Sequence, residues 1–129
     1  MRLLLDTHAL IWWLADDPRL PRMAHNAIAE GNNSIFVSAA SAWEIFTKYR
    51  IGKLPDVAAI ITDFDEVIAA QSFKELPISA AHGRTAGGLP GPHRDPFDRM
   101  LIAQAMLEDM MLVSNEQRFD AYGVQRLWA

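Results

Sequence analysis

Short apolar runs set between stretches of helical periodicity constrain this chain more than any other feature. RLLLD (2–6), SIFVS (34–38), MLVS (111–114) and VQRLW (124–128) are too short for helices and read as strands, and FKELPIS (73–79) holds one more. Helices are predicted over 8–16, stopped by Asp17-Pro18, and over 21–31, with Gly31 at the C-terminal end. Further helices are expected over 39–52, as one long amphipathic element over 56–71, and briefly over 80–88. A helix from Pro96 to about Asp109 is apolar nearly all round, and EQRFDAYG (116–123) makes a helical turn. Strands joined by helices pair in parallel. The expected fold is therefore α/β, a three-layer α/β/α sandwich with a central parallel sheet, in one domain covering 1–129.

In such sheets the working residues lie just beyond the carboxyl ends of the strands. RLLL delivers Asp6 there; SIFVS leads within two helical turns to Glu44; MLVS ends in Ser114-Asn115-Glu116. The apolar helix between them opens with Asp95 and Asp98. Each acid has a bland explanation. Asp95 suits an N-cap with Pro96 at the first helical position, and Asp98 suits the helix dipole. Glu44 has capping-box spacing to Ser41 and salt-bridge spacing to Lys48. Glu116 suits a solvated turn equally well. Asp6 is harder to explain away, because a carboxylate closing an apolar strand is buried and needs partners. Capping accounts for the acids singly but not for their arrival at one edge.

Carboxylates gathered at one place repel by roughly 4 kcal/mol per pair at about 4 Å and an effective dielectric near 20. A positive charge between them removes that cost. With no cysteine in the chain, thiolate metal sites are excluded, and all-oxygen ligation suits Mg²⁺ or Mn²⁺. Such an ion activates water and stabilises a pentavalent phosphate. It also reverses the local sign in a chain whose net charge of −4 offers no general attraction to nucleic acid. The missing cysteines fit a reducing compartment, and the first apolar run is too short for a bilayer and is interrupted by Asp6 and His8. A cytoplasmic protein with no membrane partner is expected.

LLLDTHALIWWL, VSAASAWEIFTKYRIGKL, HRDPFDRMLIAQA and LVSNEQRFDAYGVQRLW, in this order over essentially the whole chain, resemble PIN-domain proteins, and among them the VapC-type toxins of toxin–antitoxin pairs. The resemblance implies a Mg²⁺- or Mn²⁺-dependent endoribonuclease. It places the family's catalytic acids on Asp6, Glu44, Asp98 and Glu116, the first three as metal ligands. Glu116 stands where the family commonly has aspartate, which favours a water-mediated role. The resemblance also implies a cognate antitoxin partner, an RNA substrate and a homodimer. A DNA nuclease or phosphatase using the same acids, or an inactive binding module marked by Glu116, are the alternative readings.

Neutral and basic neighbours complete the expectation. Thr7, Asp95, Ser114 and Asn115 are candidates for positioning water or ligands, with capping and turn formation as their ordinary roles. Lys48, Arg50, Lys53, His93, Arg94 and Arg99 are candidates for contacts to the RNA backbone. The four histidines are too scattered for a histidine metal cluster. GRTAGGLPGPH lacks the Lys-Ser/Thr ending of a phosphate-binding loop and is read as a mobile loop near the site. Trp12 and Trp13 cannot both be buried on the same face of one helix, so either two packing surfaces meet there or one tryptophan helps form a groove.

Overall fold

Leu3, Leu4 and Leu5 are all fully buried, which only a strand covered on both faces allows. They form β1 (Arg2–Leu5), the middle strand of a five-stranded sheet that includes β2 (Ser34–Ser38), β3 (Lys74–Leu76), β4 (Met111–Val113) and β5 (Arg126–Leu127). The computed structural model describes residues 1–129. Every strand pair is parallel and the order is β3-β2-β1-β4-β5.

Side chains alternate across the strands. Leu3, Leu5, Ile35, Val37 and Val113 join one core cluster with α1 (Thr7–Leu14), α2 (Arg22–Ala29) and the 57–68 segment. Leu4 and Leu112 join a second with Leu101, Ile102 and Ala105 of α7 (Pro96–Glu108). Helix α6 (Ala80–Gly88) packs on α7, and α3 (Ala39–Arg50) follows β2. These layers are the α/β/α sandwich expected from the alternation.

Two elements differ from the sequence reading. The helix expected over 56–71 is broken into a 3-10 turn at Pro55–Val57, α4 (Ala58–Thr62) and α5 (Phe64–Ala70). Asp63, with φ −134° and ψ 49°, leaves the helical region, and Thr62 Oγ1 bonds back to the Ala58 carbonyl at 3.0 Å. Back-bonding of this kind competes with the helix ladder and bends it. Ile60 and Ile68 still reach the same core, with Phe64 against it. The Gly-rich stretch is the second difference: 80–88 is helix as expected, but the loop after it, read as mobile, is fastened by Arg99 of α7. Its guanidinium donates to the carbonyls of Ala86 (3.0 Å), Leu89 (2.6 Å) and His93 (3.0 Å).

The strand order also locates the crevice. Strands β1, β2 and β3 proceed to one side, whereas β4 returns to the other side of β1. A parallel sheet opens a cleft beyond the carboxyl ends at such a switch point. The residues leaving β1 and β4 there are Asp6 and Ser114.

Candidate active site

Asp6 caps α1: its Oδ1 accepts from the Ala9 amide at 2.8 Å, and its own amide donates to the Val113 carbonyl at 3.1 Å. The cap is thus Asp6 and not Thr7. Burial pushes the Asp6 carboxyl above its usual range, against hydrogen bonds from Ser114 and Ala9 that favour the charged form. Ser114 is fully buried, and its Oγ also accepts from the Glu116 amide at 3.0 Å.

Thr7, freed from capping, donates its hydroxyl to Glu44 Oε1 at 2.6 Å. Helix α3 is capped instead by Ser38, whose Oγ accepts from the Ala40 amide at 2.9 Å. The capping-box reading of Ser41 and Glu44 therefore fails: Glu44 lies within the helix, buried and turned to the sheet edge. The Lys48 ammonium bonds Glu44 Oε2 one turn on, the i,i+4 pair that the spacing suggests.

Asp95 is the N-cap of α7 and accepts from the amides of Phe97 (2.9 Å) and Asp98 (3.1 Å), with Pro96 following it. Asp98 points elsewhere, its Oδ2 lying 2.9 Å from His93 Nε2. Burial pushes the Asp98 carboxyl up to about 6, and the negative charges of Asp95 and Glu44 add to the shift against the hydrogen bond from His93. Glu116 caps the 3-10 segment Gln117–Tyr122 and is gripped by Arg118 through both carboxylate oxygens at 2.9 Å, which holds it down to about 2.

Asp6, Glu44, Asp95, Asp98 and Glu116 all line one cleft of about 400 Å³, joined by Thr7, Asn115 and Lys48. Trp12 is the single apolar side chain of its wall. Trp12 thus forms part of the groove while also packing, like Trp13, against the core, and Trp13 packs on Phe73 and donates to Gln71 Oε1 at 2.9 Å. Of the basic candidates only Lys48 faces the cleft. Arg50, Lys53 and Arg94 are exposed away from its lining. His93 is buried and commits Nε2 to Asp98, leaving only Nδ1 unpaired away from the cleft lining, and Arg99 spends its guanidinium on backbone carbonyls, so neither lines the cleft as the phosphate contact the sequence reading expected.

Two lining residues had no signal in the sequence reading. Arg118 lies two positions beyond Glu116, a local pairing that no helical or strand period reveals. His8 is exposed and reaches the cleft from the first turn of α1.

The donor set fits a hard divalent cation. All the anionic atoms are oxygens, and Asp6 and Asp98 are held toward protonation chiefly by burial, with the nearby carboxylates adding to it, a combination that a bound cation would relieve. As they stand, no three of the acids meet closely enough around one point to ligate a single ion. The cleft thus has the chemistry of a cation site without a preformed three-acid ligand shell.

The sequence model of the PIN domain matches residues 3–125. The chain belongs to the PIN-domain family. This PIN domain is 27% identical over 120 residues to ribonuclease VapC22 of Mycobacterium tuberculosis, covering 92% of the chain and 90% of that protein. It is 52% identical over 81 residues to ribonuclease VapC16 of the same organism, covering 56% of the chain and 57% of that protein. Its fold is similar to VapBC2 from Rickettsia felis, solved bound to a promoter DNA fragment, with a TM-score of 0.74, 19% identity and full coverage of both chains. It is also similar to VapC20 of M. tuberculosis, a sarcin–ricin-loop-cleaving toxin, with a TM-score of 0.67, 17% identity and coverage of 98% and 99%. No helix of the PIN domain is long and apolar enough to cross a membrane.

Proposed function

We propose that this PIN domain is a metal-dependent endoribonuclease, the toxin of a toxin–antitoxin pair, acting in the cytoplasm. The observation that carries the reading is the delivery of Asp6, Glu44 and Asp98 from three separate elements into one cleft at the switch point of the sheet, two of them pushed toward protonation by burial. Relatives named as VapC ribonucleases support the reaction class.

Asp6, Glu44 and Asp98 would hold Mg²⁺ or Mn²⁺. A divalent ion there supplies a lowered pKa for water and neutralises charge building on the phosphate. The protein orients each acid separately: Ala9 and Ser114 for Asp6, Thr7 and Lys48 for Glu44, His93 for Asp98. The Thr7 hydroxyl is engaged with Glu44 and the Ser114 hydroxyl with Asp6, so neither is a free nucleophile. In this reading a water, activated by the ion, rather than the substrate's own 2′-hydroxyl would attack the phosphorus. Lys48 and Arg118 are the cations of the cleft, placed for the non-bridging phosphate oxygens. Glu116, tied to Arg118, acts through that side chain and through water.

The partner in this reading is an antitoxin, supported by structural neighbours that include VapBC-1 of nontypeable Haemophilus influenzae as well as VapBC2, and the toxin is a homodimer. The test is cleavage of single-stranded RNA with Mg²⁺ or Mn²⁺, with chelator controls, single-stranded DNA and a phosphomonoester. RNA cleavage lost with chelator and in Asp98→Asn supports it. Cleavage of DNA alone, of the monoester alone, or of nothing in a folded protein overturns it.

A further inference from the structure

Beside the acid cleft lies a second pocket, of about 430 Å³, between the loop that carries Pro90, Gly91 and Pro92 and the segment that carries Ala121 and Tyr122. Arg118 lines both cavities, so they share a wall. The chain has two buried side-chain polar atoms without any hydrogen-bond partner, His93 Nδ1 and Tyr122 Oη, and both belong to residues of this pocket. His93 is 7% exposed and its other nitrogen already holds Asp98 at 2.9 Å. Buried polar groups are ordinarily paired, and two orphans on one apolar pocket mark the place where a ligand completes the bonding.

The chemistry of the pocket selects the ligand. Proline faces and a tyrosine ring suit a flat, weakly polar group, and one imidazole nitrogen and one phenol offer a small number of directional bonds. An edge of a nucleobase has this combination of face and hydrogen-bonding atoms. Gly91 sits at φ +92°, and a Cβ there would stand 3.0 Å from Tyr122 Oη, so the loop can lie against the tyrosine only because this residue is glycine. The loop at Gly91 covers the phenol hydroxyl, so a ring reaches it only where that close approach gives way.

We propose that this pocket receives the base of the nucleotide next to the scissile phosphate, with Arg118 at the shared wall contacting the phosphate and His93 and Tyr122 reading the base. The proposal rests on the ribonuclease reading of the acid cleft and adds a base-selecting subsite to it. His93 then has two faces, one positioning Asp98 and one in contact with substrate.

The test titrates the metal-free, full-length protein with each of the four ribonucleoside 5′-monophosphates, and with ribose 5-phosphate and inorganic phosphate, following backbone and imidazole NMR shifts. Expected are saturable shifts at Gly91, His93, Ala121 and Tyr122 with one or two nucleotides and not with ribose 5-phosphate. Tyr122→Phe, which keeps the ring and removes only the orphaned hydroxyl, should weaken the preferred nucleotide about tenfold while leaving inorganic phosphate affinity unchanged. Equal response to ribose 5-phosphate, or shifts confined to Asp6, Glu44 and Arg118, overturns the subsite and leaves the ribonuclease reading standing. Response of these residues to a co-purified polypeptide but to no nucleotide makes the pocket a protein-docking site and equally overturns it. Failure of the reading itself looks different: base binding persists while Asp98→Asn cleaves RNA as well as the parent.

Discussion

Thr7 Oγ1 and Glu44 Oε1 are 2.6 Å apart across 37 positions of sequence, so the residue after the first-strand acid holds the acid of the third helix. The bond is buried and fixes one carboxylate relative to the next. Thr7→Val keeps the shape and removes the donor, leaving a buried carboxylate oxygen unpaired at a cost of about 1–3 kcal/mol. Loss of an orienting partner of this kind lowers activity or metal affinity by roughly 10–100-fold. Thr7→Ser should recover most of both, as measured by chemical denaturation and RNA cleavage.

Asp98 has a raised carboxyl, and the sign of its effect follows directly. Its usual value is 3.8 and its folded value about 6, so between these the folded protein binds more protons than the unfolded chain. Metal-free stability is therefore fully favoured by this group below about pH 4 and declines as the pH rises through about 6. Asp98→Asn removes the decline. At pH 7 without metal the variant should be more stable by about 1–2 kcal/mol after allowance for solvent screening. Thermal unfolding at pH 3.5 and pH 7 checks both the sign and the convergence of the two proteins at the lower pH.

Divalent metal should reverse the ranking. Saturation at 100 times Kd adds about 2.7 kcal/mol to the parent. Asp6→Asn retains an N-cap oxygen for Ala9 and so keeps α1, yet it loses a charge from the site. Its melting temperature should respond to Mn²⁺ by less than half the parent's shift. An equal shift would place the ion elsewhere.

Arg118 is 67% exposed in its side chain and pairs with a partly exposed Glu116. The pair holds the Glu116 carboxyl near 2, so it favours the folded state above about pH 4.5, and this contribution fades as the pH falls toward 2. Exposed pairs contribute under about 1 kcal/mol. Arg118→Ala should therefore barely alter stability at pH 7 while raising KM for RNA more than it lowers kcat. A large fall in stability with unchanged KM would make the arginine a structural tether instead.

Arg99 should behave in the opposite way. Four backbone carbonyls accept from its guanidinium, those of Ala86, Gly87, Leu89 and His93, and lysine lacks the fork to satisfy them together. Arg99→Lys should cost about 2–4 kcal/mol and speed amide exchange across 89–93.

Much of this arrangement is legible in the sequence because it rests on local patterns. Three leucines followed by aspartate state a doubly covered strand with a polar end, and Asp95-Pro96 states a helix start. The strand alternation leads to the sandwich. What the sequence does not display are partnerships between distant side chains. Thr7 has the local look of a cap, yet its partner lies in another helix. Arg99 has the look of a surface cation, but four carbonyls, at the end of α6 and in the loop after it, consume it. Glu44 matches a capping box because the spacing is right, although Ser38 already does that work. The broken 56–71 helix escapes periodicity analysis because Ile60, Phe64 and Ile68 keep helical spacing across the bend.

Asp6 is at once the cap of α1 and an acid of the cleft, with Oδ1 committed to Ala9. Two duties on one carboxylate divide the substitutions at this position into distinguishable classes. In a saturation library selected for folding alone, asparagine, serine and threonine should survive beside aspartate, since each caps a helix. Selected for RNA cleavage, the same library should collapse to aspartate. Glutamate then becomes the informative substitution: it keeps the charge, displaces it by one methylene and forfeits the cap, so it should disappear from both selections.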